Sequence, residues 1–332
     1  MKLAVNEKNL PLLVTLVVCV LLYVAAAIAF YQNNFVSLPV LELLFSSKAP
    51  LGIMAVGMTF VILSGGIDLS VGSVMALSTM IVGMLVAMGH VSAWLAIVAA
   101  LAAGAAIGLL NGCLIQFFEM PPFLVTLGTL FLARGIALLM NHTNRIALDT
   151  QTYPFFDTFT SLRLNMGIVS IYFRSLVLIA LVVAGVVVTR TTRFGRNIYA
   201  LGGGEQASIL MGLPVARTKT LVYTISGMLA ALAGVIMLSD SPAGDPTIAV
   251  GWELDAIAAV VIGGTLLTGG VGSVAGTLLG VLIIALIEQI MTYWGADASR
   301  ARIINGLLLF AFIALQKLLP ALRVKRMRRL AA

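Results

Sequence analysis

The chain has 332 residues, of which 61% are hydrophobic and only 10% charged, with a mean hydropathy of +1.09 and a net charge of +7. Soluble domains carry about 25% charged residues, so this composition leaves no room for a large soluble domain and predicts an all-α, polytopic membrane bundle. The basic excess does not indicate nucleic acid, because Lys and Arg sit in short loops and a tail beside apolar runs rather than on one soluble surface.

In chain order, MKLAVNEKN followed by LPLLVTLVVCVLLYVAAAIAF looks like a secretory signal. Its apolar run is longer than the roughly 7–15 residues of a cleaved segment, so it reads as an uncleaved first helix at 11–30. Further spans are predicted at 49–65, 70–88, 93–115, 122–140, 171–189, 219–238, 254–266, 272–291 and 302–319, ten in all. The second and eighth are short, which suggests tilt, a re-entrant shape or an interrupted helix. The 32 glycines would weaken soluble helices but let membrane helices approach closely. Cys19 and Cys113 fall inside spans with no metal spacing and read as packing residues.

With both termini in the cytoplasm, thirteen Lys and Arg fall on the cytoplasmic side, including Arg190, Arg193, Arg196, Arg217 and Lys219. Six fall outside and Arg134 lies within a span, which favours this orientation. The chain is then one transmembrane domain, 1–332, with a cytoplasmic loop at 190–218 and a basic cytoplasmic tail at 320–332. Two echoes, VGSV at 71–74 and 271–274 and NG at 111 and 305, hint at a repeat, but in so glycine-rich a chain coincidence is the simpler account.

Three segments carry the polar chemistry. In GGIDLSVGS (65–73), Asp68 or Ser70 can cap the next helix while Gly65 and Gly66 allow a sharp exit from the previous one. The alternative role is to line a path, since non-helical backbone at membrane depth survives only where protein or a water-filled cavity satisfies it. IGGTLLTGGVGS (262–273) has the same style, with a helix opening at Gly272 or Ser273; plain small-residue packing would also account for it. In residues 190–219, Gly202–Gly204 read as a flexible entry, Glu205 as a helix start, and Gly212 with Pro214 as its stop. That punctuation suits a docking element, although an ordinary solvated loop is the plainer reading.

Charge within the spans is sparse: Arg134 is expected to face protein or water, and Glu288 to lie near the outer interface. No dense run of acidic groups suggests a proton relay. There is no GxxxxGK[ST], and GGG at 202–204 is followed by Glu rather than a phosphate-binding Lys; HExxH, CxxC and GxSxG are also missing. The sequence therefore assigns no catalytic residue, metal ligand or cofactor.

GMTFVILSGGIDLSVGSVMAL (57–77), PPFLVTLGTLFLARG (121–135), TRFGRNIYALGGGEQASILMGLP (192–214), ELDAIAAVVIGGTLLTGGVGS (253–273) and GLLLFAFIALQ (306–316) resemble, in collinear order, permease subunits of ribose-type ABC importers. Within that family, TRFG with YALGG, LMG and the FIALQ ending are most similar to the shorter permease of galactofuranose importers. The resemblance implies ten helices in the bacterial inner membrane. It also implies a second permease, either a paralogue or an identical copy, together with an ABC ATPase that hydrolyses ATP and a periplasmic sugar-binding protein. It makes 205–214 a coupling helix, with Glu205, Gln206, Ala207, Leu210, Gly212 and Pro214 as ATPase-coupling residues. The family's usual NEEAA is replaced here by Gly204, Glu205, Gln206, Ala207 and Ser208.

A neutral sugar calls for hydroxyl and amide partners, so the expected path or gate residues are Gly65, Gly66, Asp68, Ser70, Asn111, Thr126, Thr129, Gly269, Gly270 and Gln289, with Ser64 and Ser78 beside them. Alternatives are an ABC permease for ribose, another sugar or a branched-chain amino acid, a stand-alone secondary carrier, or a membrane scaffold that transports nothing.

Overall fold

A computed structural model of the protein describes residues 10–295 apart from 143, 150, 151, 167 and 168, with scattered positions from 299 to 314. Predicted span ten (302–319) lies mostly outside the described residues, and Lys2, Lys8 and the tail 320–332 lie wholly outside them.

The described helices are α1 (Leu10–Ala29), α2 (Leu38–Ser46), α3 (Ala49–Leu63), α4 (Val71–Gly83), α5 (Ala93–Phe117), α6 (Pro122–Leu139), α7 (Pro154–Ser161), α8 (Phe173–Thr191), α9 (Arg193–Gly203), α10 (Glu205–Leu210), α11 (Val215–Met237), α12 (Trp252–Ile262) and α13 (Val274–Tyr293). α4 runs on as a π-helical segment, Met84–Met88. Pro39, Pro50 and Pro122 stand in the first turns of α2, α3 and α6, where a missing N–H costs nothing. Among the described residues seven helices are long and apolar enough to cross a membrane, or eight if α2 and α3, bent by 49°, form one span. α12 has 11 residues, a rise of about 16 Å against a hydrocarbon core of about 30 Å. The short second and eighth spans are thus a bent and a truncated helix.

α3 lies at the centre. All of its 15 residues are buried, as its apolar surface on every side requires. α11 packs against α5, α3 and α4, and its seam with α5 is built of glycine. Gly104, Gly108 and Gly112 recur every fourth residue, so they share one face. A Cβ on Gly108 would lie 2.9 Å from the Thr224 Cα and overlap the Tyr223 carbonyl oxygen, and one on Gly112 would lie 2.7 Å from the Thr220 Cα. Lipid tails are as apolar as Leu, so close packing, more than burial, holds such a pair together. This GxxxGxxxG signal is plain in the sequence.

The connections gather at two ends of the bundle. At one end the 64–70 turn, α9, α10 and the 263–273 turn meet. At the other, β1 (Ile146–Ala147) pairs with β4 (Ala243–Gly244), and β2 (Arg163–Met166) forms a hairpin with β3 (Val169–Tyr172) that leans on α2. This grouping matches the alternation of sides expected from the predicted spans. Glu288 reaches Lys48 at 2.5 Å at the hairpin end. Arg134 donates to the Pro246 and Ile248 carbonyls at 2.7 and 2.9 Å and so fastens the loop before α12.

The VGSV echo is not a repeat of local structure. Residues 71–74 form the first turn of α4 and are preceded by its cap, whereas at 271–274 the cap is Ser273 and α13 begins only at Val274.

Gly108→Ala forces backbone apart and is expected to cost about 1–3 kcal/mol. Thermal unfolding of the purified protein in detergent should show the loss, while Gly128→Ala and Gly135→Ala, which meet no atom within 4 Å, leave the midpoint unchanged.

Candidate functional site

α3 and α12 both stop at the α10 end, and their free carbonyls need partners. Gly270 N–H donates to the Leu63 carbonyl at 3.0 Å, and Thr15 on α1 donates its hydroxyl to the Ile262 carbonyl at 2.8 Å. The two glycine turns therefore touch. A Cβ on Gly269 would stand 2.9 Å from both the Cα and the N of Gly65, and 3.0 Å from the Cα of Gly202. Gly65, Gly269 and Gly270 hold φ of 85°, 82° and 72°, which adds a backbone demand for glycine.

Gly202 is a packed contact point and not a flexible entry. It lies within α9, and a Cβ there would overlap the Leu63 carbonyl oxygen and the Gly270 nitrogen. α9 itself was not expected: Thr192 caps it by accepting from Gly195 N–H at 3.1 Å, and Tyr199 donates its hydroxyl to the Gly272 carbonyl at 2.8 Å. The signal was present as a Ser/Thr-type cap before an amphipathic run, RFGRNIYALGG.

Asp68 is fully buried behind this junction. Its Oδ1 accepts from Ser70 N–H at 3.0 Å and the Ser70 hydroxyl at 2.6 Å, and its Oδ2 accepts from the Ser226 hydroxyl on α11 at 2.7 Å. Among the described residues no cation pairs with it. Asp68 bonds Ser70 and leaves the α4 opening without a side-chain cap, while Asn111 on α5 donates to the Ser70 oxygen at 3.2 Å. The turn is thereby tied to α5 and α11. The Tyr223 hydroxyl faces Gly66, where any Cβ would overlap it. Asn111 Oδ1, buried, has no protein hydrogen-bond partner among the described residues.

The structure therefore brings together Gly65, Gly66, Asp68, Ser70, Asn111, Gly269 and Gly270. Thr126 is adjacent, its hydroxyl 3.4 Å from the Ile67 carbonyl, but it donates chiefly to Pro122 at 2.9 Å. Thr129 bonds back to its own helix at 3.2 Å, Ser64 does so at 2.7 Å, and Ser78 bonds the Ala231 carbonyl at 2.7 Å. Gln289 is not part of the cluster: it lies fifteen residues beyond the start of α13, about 22 Å along the helix, toward the hairpin end.

α10 projects from the same end. Gln206, Ala207 and Pro214 are exposed, as are Ile209, Leu210 and Met211, with Leu210 at 88% exposure. Gly212, at φ 71°, turns the chain after α10, which spans only 205–210 rather than reaching 214.

The family model described as branched-chain amino acid transport system / permease component matches residues 40–313. The fructose import permease protein FruG of Bifidobacterium longum is 39% identical over 95% of this chain and 93% of its own length. The inner membrane ABC transporter permease protein YjfF of Escherichia coli is 42% identical over 95% and 94%, and the ribose import permease protein RbsC of Bacillus subtilis is 39% identical over 80% and 81%. The chain is a permease of the ribose-type ABC sugar importers. No solved structure matches it. As a family member it is a multi-pass transport subunit of a bacterial ABC importer, and the ATPase and the substrate-binding protein are its partners in general.

Ser226→Ala would leave Asp68 Oδ2 without its donor in a site closed to solvent, at a cost of about 1–3 kcal/mol. Ser64→Ala removes only a bond within one turn of its own helix. Thermal shift in detergent should therefore fall clearly for Ser226→Ala and little for Ser64→Ala.

Proposed function

We propose that this permease carries a neutral monosaccharide, with galactofuranose the favoured solute, past the two glycine turns, and that α10 docks in a groove of the partner ATPase. The observation that supports this most directly is the position of α10. Its Ile209, Leu210 and Met211 stand out from the bundle at the end where both turns and α9 interlock. An apolar tip that exposed needs a partner surface. Glu205, Gln206, Ala207, Gly212 and Pro214 surround it or shape its ends.

The α10 end then faces the cytoplasm. Arg190, Arg193, Arg196, Arg217 and Lys219 stand there, against Lys48, Arg145, Arg163 and Arg174 at the hairpin end. Lys and Arg are in excess on the cytoplasmic side of membrane proteins. ATP-driven closure of the ATPases pushes on α10, and the bundle opens alternately to each side. A second permease completes the path, and a periplasmic sugar-binding protein delivers the solute.

Support for a sugar comes from relatives named for fructose, ribose and arabinose import. Galactofuranose rests on the TRFG, YALGG, LMG and FIALQ resemblance. The description of the matching family favours one second reading, a branched-chain amino acid as solute.

Vesicles holding this chain, its paralogue, the ATPase and the binding protein are expected to accumulate labelled galactofuranose but neither ribose nor leucine when ATP is supplied. Uptake of ribose or leucine instead would replace the solute, and uptake without ATPase that collapses with an ion gradient would indicate a secondary carrier. Leu210→Asp should cut co-purification of the ATPase about tenfold, a loss of roughly 1.4 kcal/mol; unchanged co-purification would reject the docking assignment.

A further inference from the structure

We infer that the ion pair between Glu205 and Lys219 is a strut that hands motion of α10 to the Asp68 turn through α11. This rests on the reading of α10 as the ATPase-docking helix.

Glu205 opens α10, and its Oε1 lies 2.5 Å from Lys219 Nζ, on the first turns of α11. The Lys219 side chain is only 15% exposed, against 44% for Glu205, so the ammonium leans from α11 toward α10. An exposed pair adds little to stability; its effect here is positional.

Lys219, Tyr223 and Ser226 fall at i, i+4 and i+7, which places them along one face of α11. The first holds Glu205. The Tyr223 hydroxyl abuts Gly66, and the Ser226 hydroxyl bonds Asp68 at 2.7 Å. From Asp68 the bonds continue through Ser70 to Asn111 on α5. The face spans about 10 Å and is rigid, because the α5 glycines seat α11 backbone to backbone. A displacement of α10 that carries Lys219 with it must therefore act on the Asp68 turn. Glu205 and Lys219 are positioning residues, since they act through α11 on the Asp68 turn.

The test uses the complete importer in proteoliposomes, reading labelled galactofuranose accumulated per ATP hydrolysed, with ATPase co-purification measured on the same preparations. Ribose or leucine replaces galactofuranose as the probe if the wild type accumulates that solute instead. Lys219→Glu, on α11, should lower accumulation per ATP about tenfold while the ATPase still co-purifies, Glu205→Lys should lower it at least as far, and the double swap should recover most of it. Because a reversed charge on α11 could impair assembly, Lys219→Gln and Lys219→Arg form a second set, with loss expected for Gln and retention for Arg. Wild-type accumulation per ATP in Lys219→Gln, or a double swap no better than the single changes, would overturn the strut. Failure of the docking reading is separate: Leu210→Asp would then keep both its ATPase and its uptake.

Discussion

A single backbone hydrogen bond, from Gly270 N–H to the Leu63 carbonyl, sets much of what surrounds it. α3 and α12 end at buried residues, Leu63 and Ile262, and the carbonyls there must find protein partners. Joining the end of α3 to the turn that follows α12 solves part of that problem and forces two turns into backbone contact. Glycine is required at Gly202 and Gly269, where a side chain would crowd neighbouring main chain, and at Gly65 because its φ is 85°. The remaining open end, at Ile262, is closed by Thr15 on α1, the buried polar residue of an otherwise apolar helix.

The same requirement explains why a carboxylate is tolerated at Asp68. A buried carboxyl group without a cation is tolerated when hydrogen bonds surround it, and Asp68 has three, from Ser70 and Ser226. Those donors come from two elements, so satisfying the carboxyl group also fixes α11 against the α3–α4 turn. The polar groups of the interior thus serve packing as much as any solute.

What could be read from the sequence follows from which interactions are local. Nine of the ten predicted spans meet a described helix in chain order, because long apolar runs specify membrane helices almost alone. Ser273 as a cap of α13 was legible for the same reason: it accepts from Gly276 N–H only three residues on. The bond from Asp68 to Ser226, 158 residues apart, and the contact of Gly202 with Leu63 and Gly270 had no local signature. Gly202 read as a hinge because, taken alone, three successive glycines describe freedom; only the neighbours reveal that the first of them is wedged. Gln289 shared its polarity with the true members of the cluster, and polarity carries no information about which end of α13 a residue occupies.

α9 shows where these levels meet. Its local signals, a Thr cap and an amphipathic run, specify a helix beside the membrane spans, and its Tyr199 and Gly202 lock that helix to both glycine turns. α10 follows after one residue, Gly204, so it is carried on an element already fastened to the turns. A surface helix hung on a mobile loop would absorb a push from outside. One hung on α9, with the backbone of α3 and the opening of α13 pressed against it, has no slack in which to lose it. The glycines at this junction therefore confer stiffness, the opposite of the property their number in the sequence suggests.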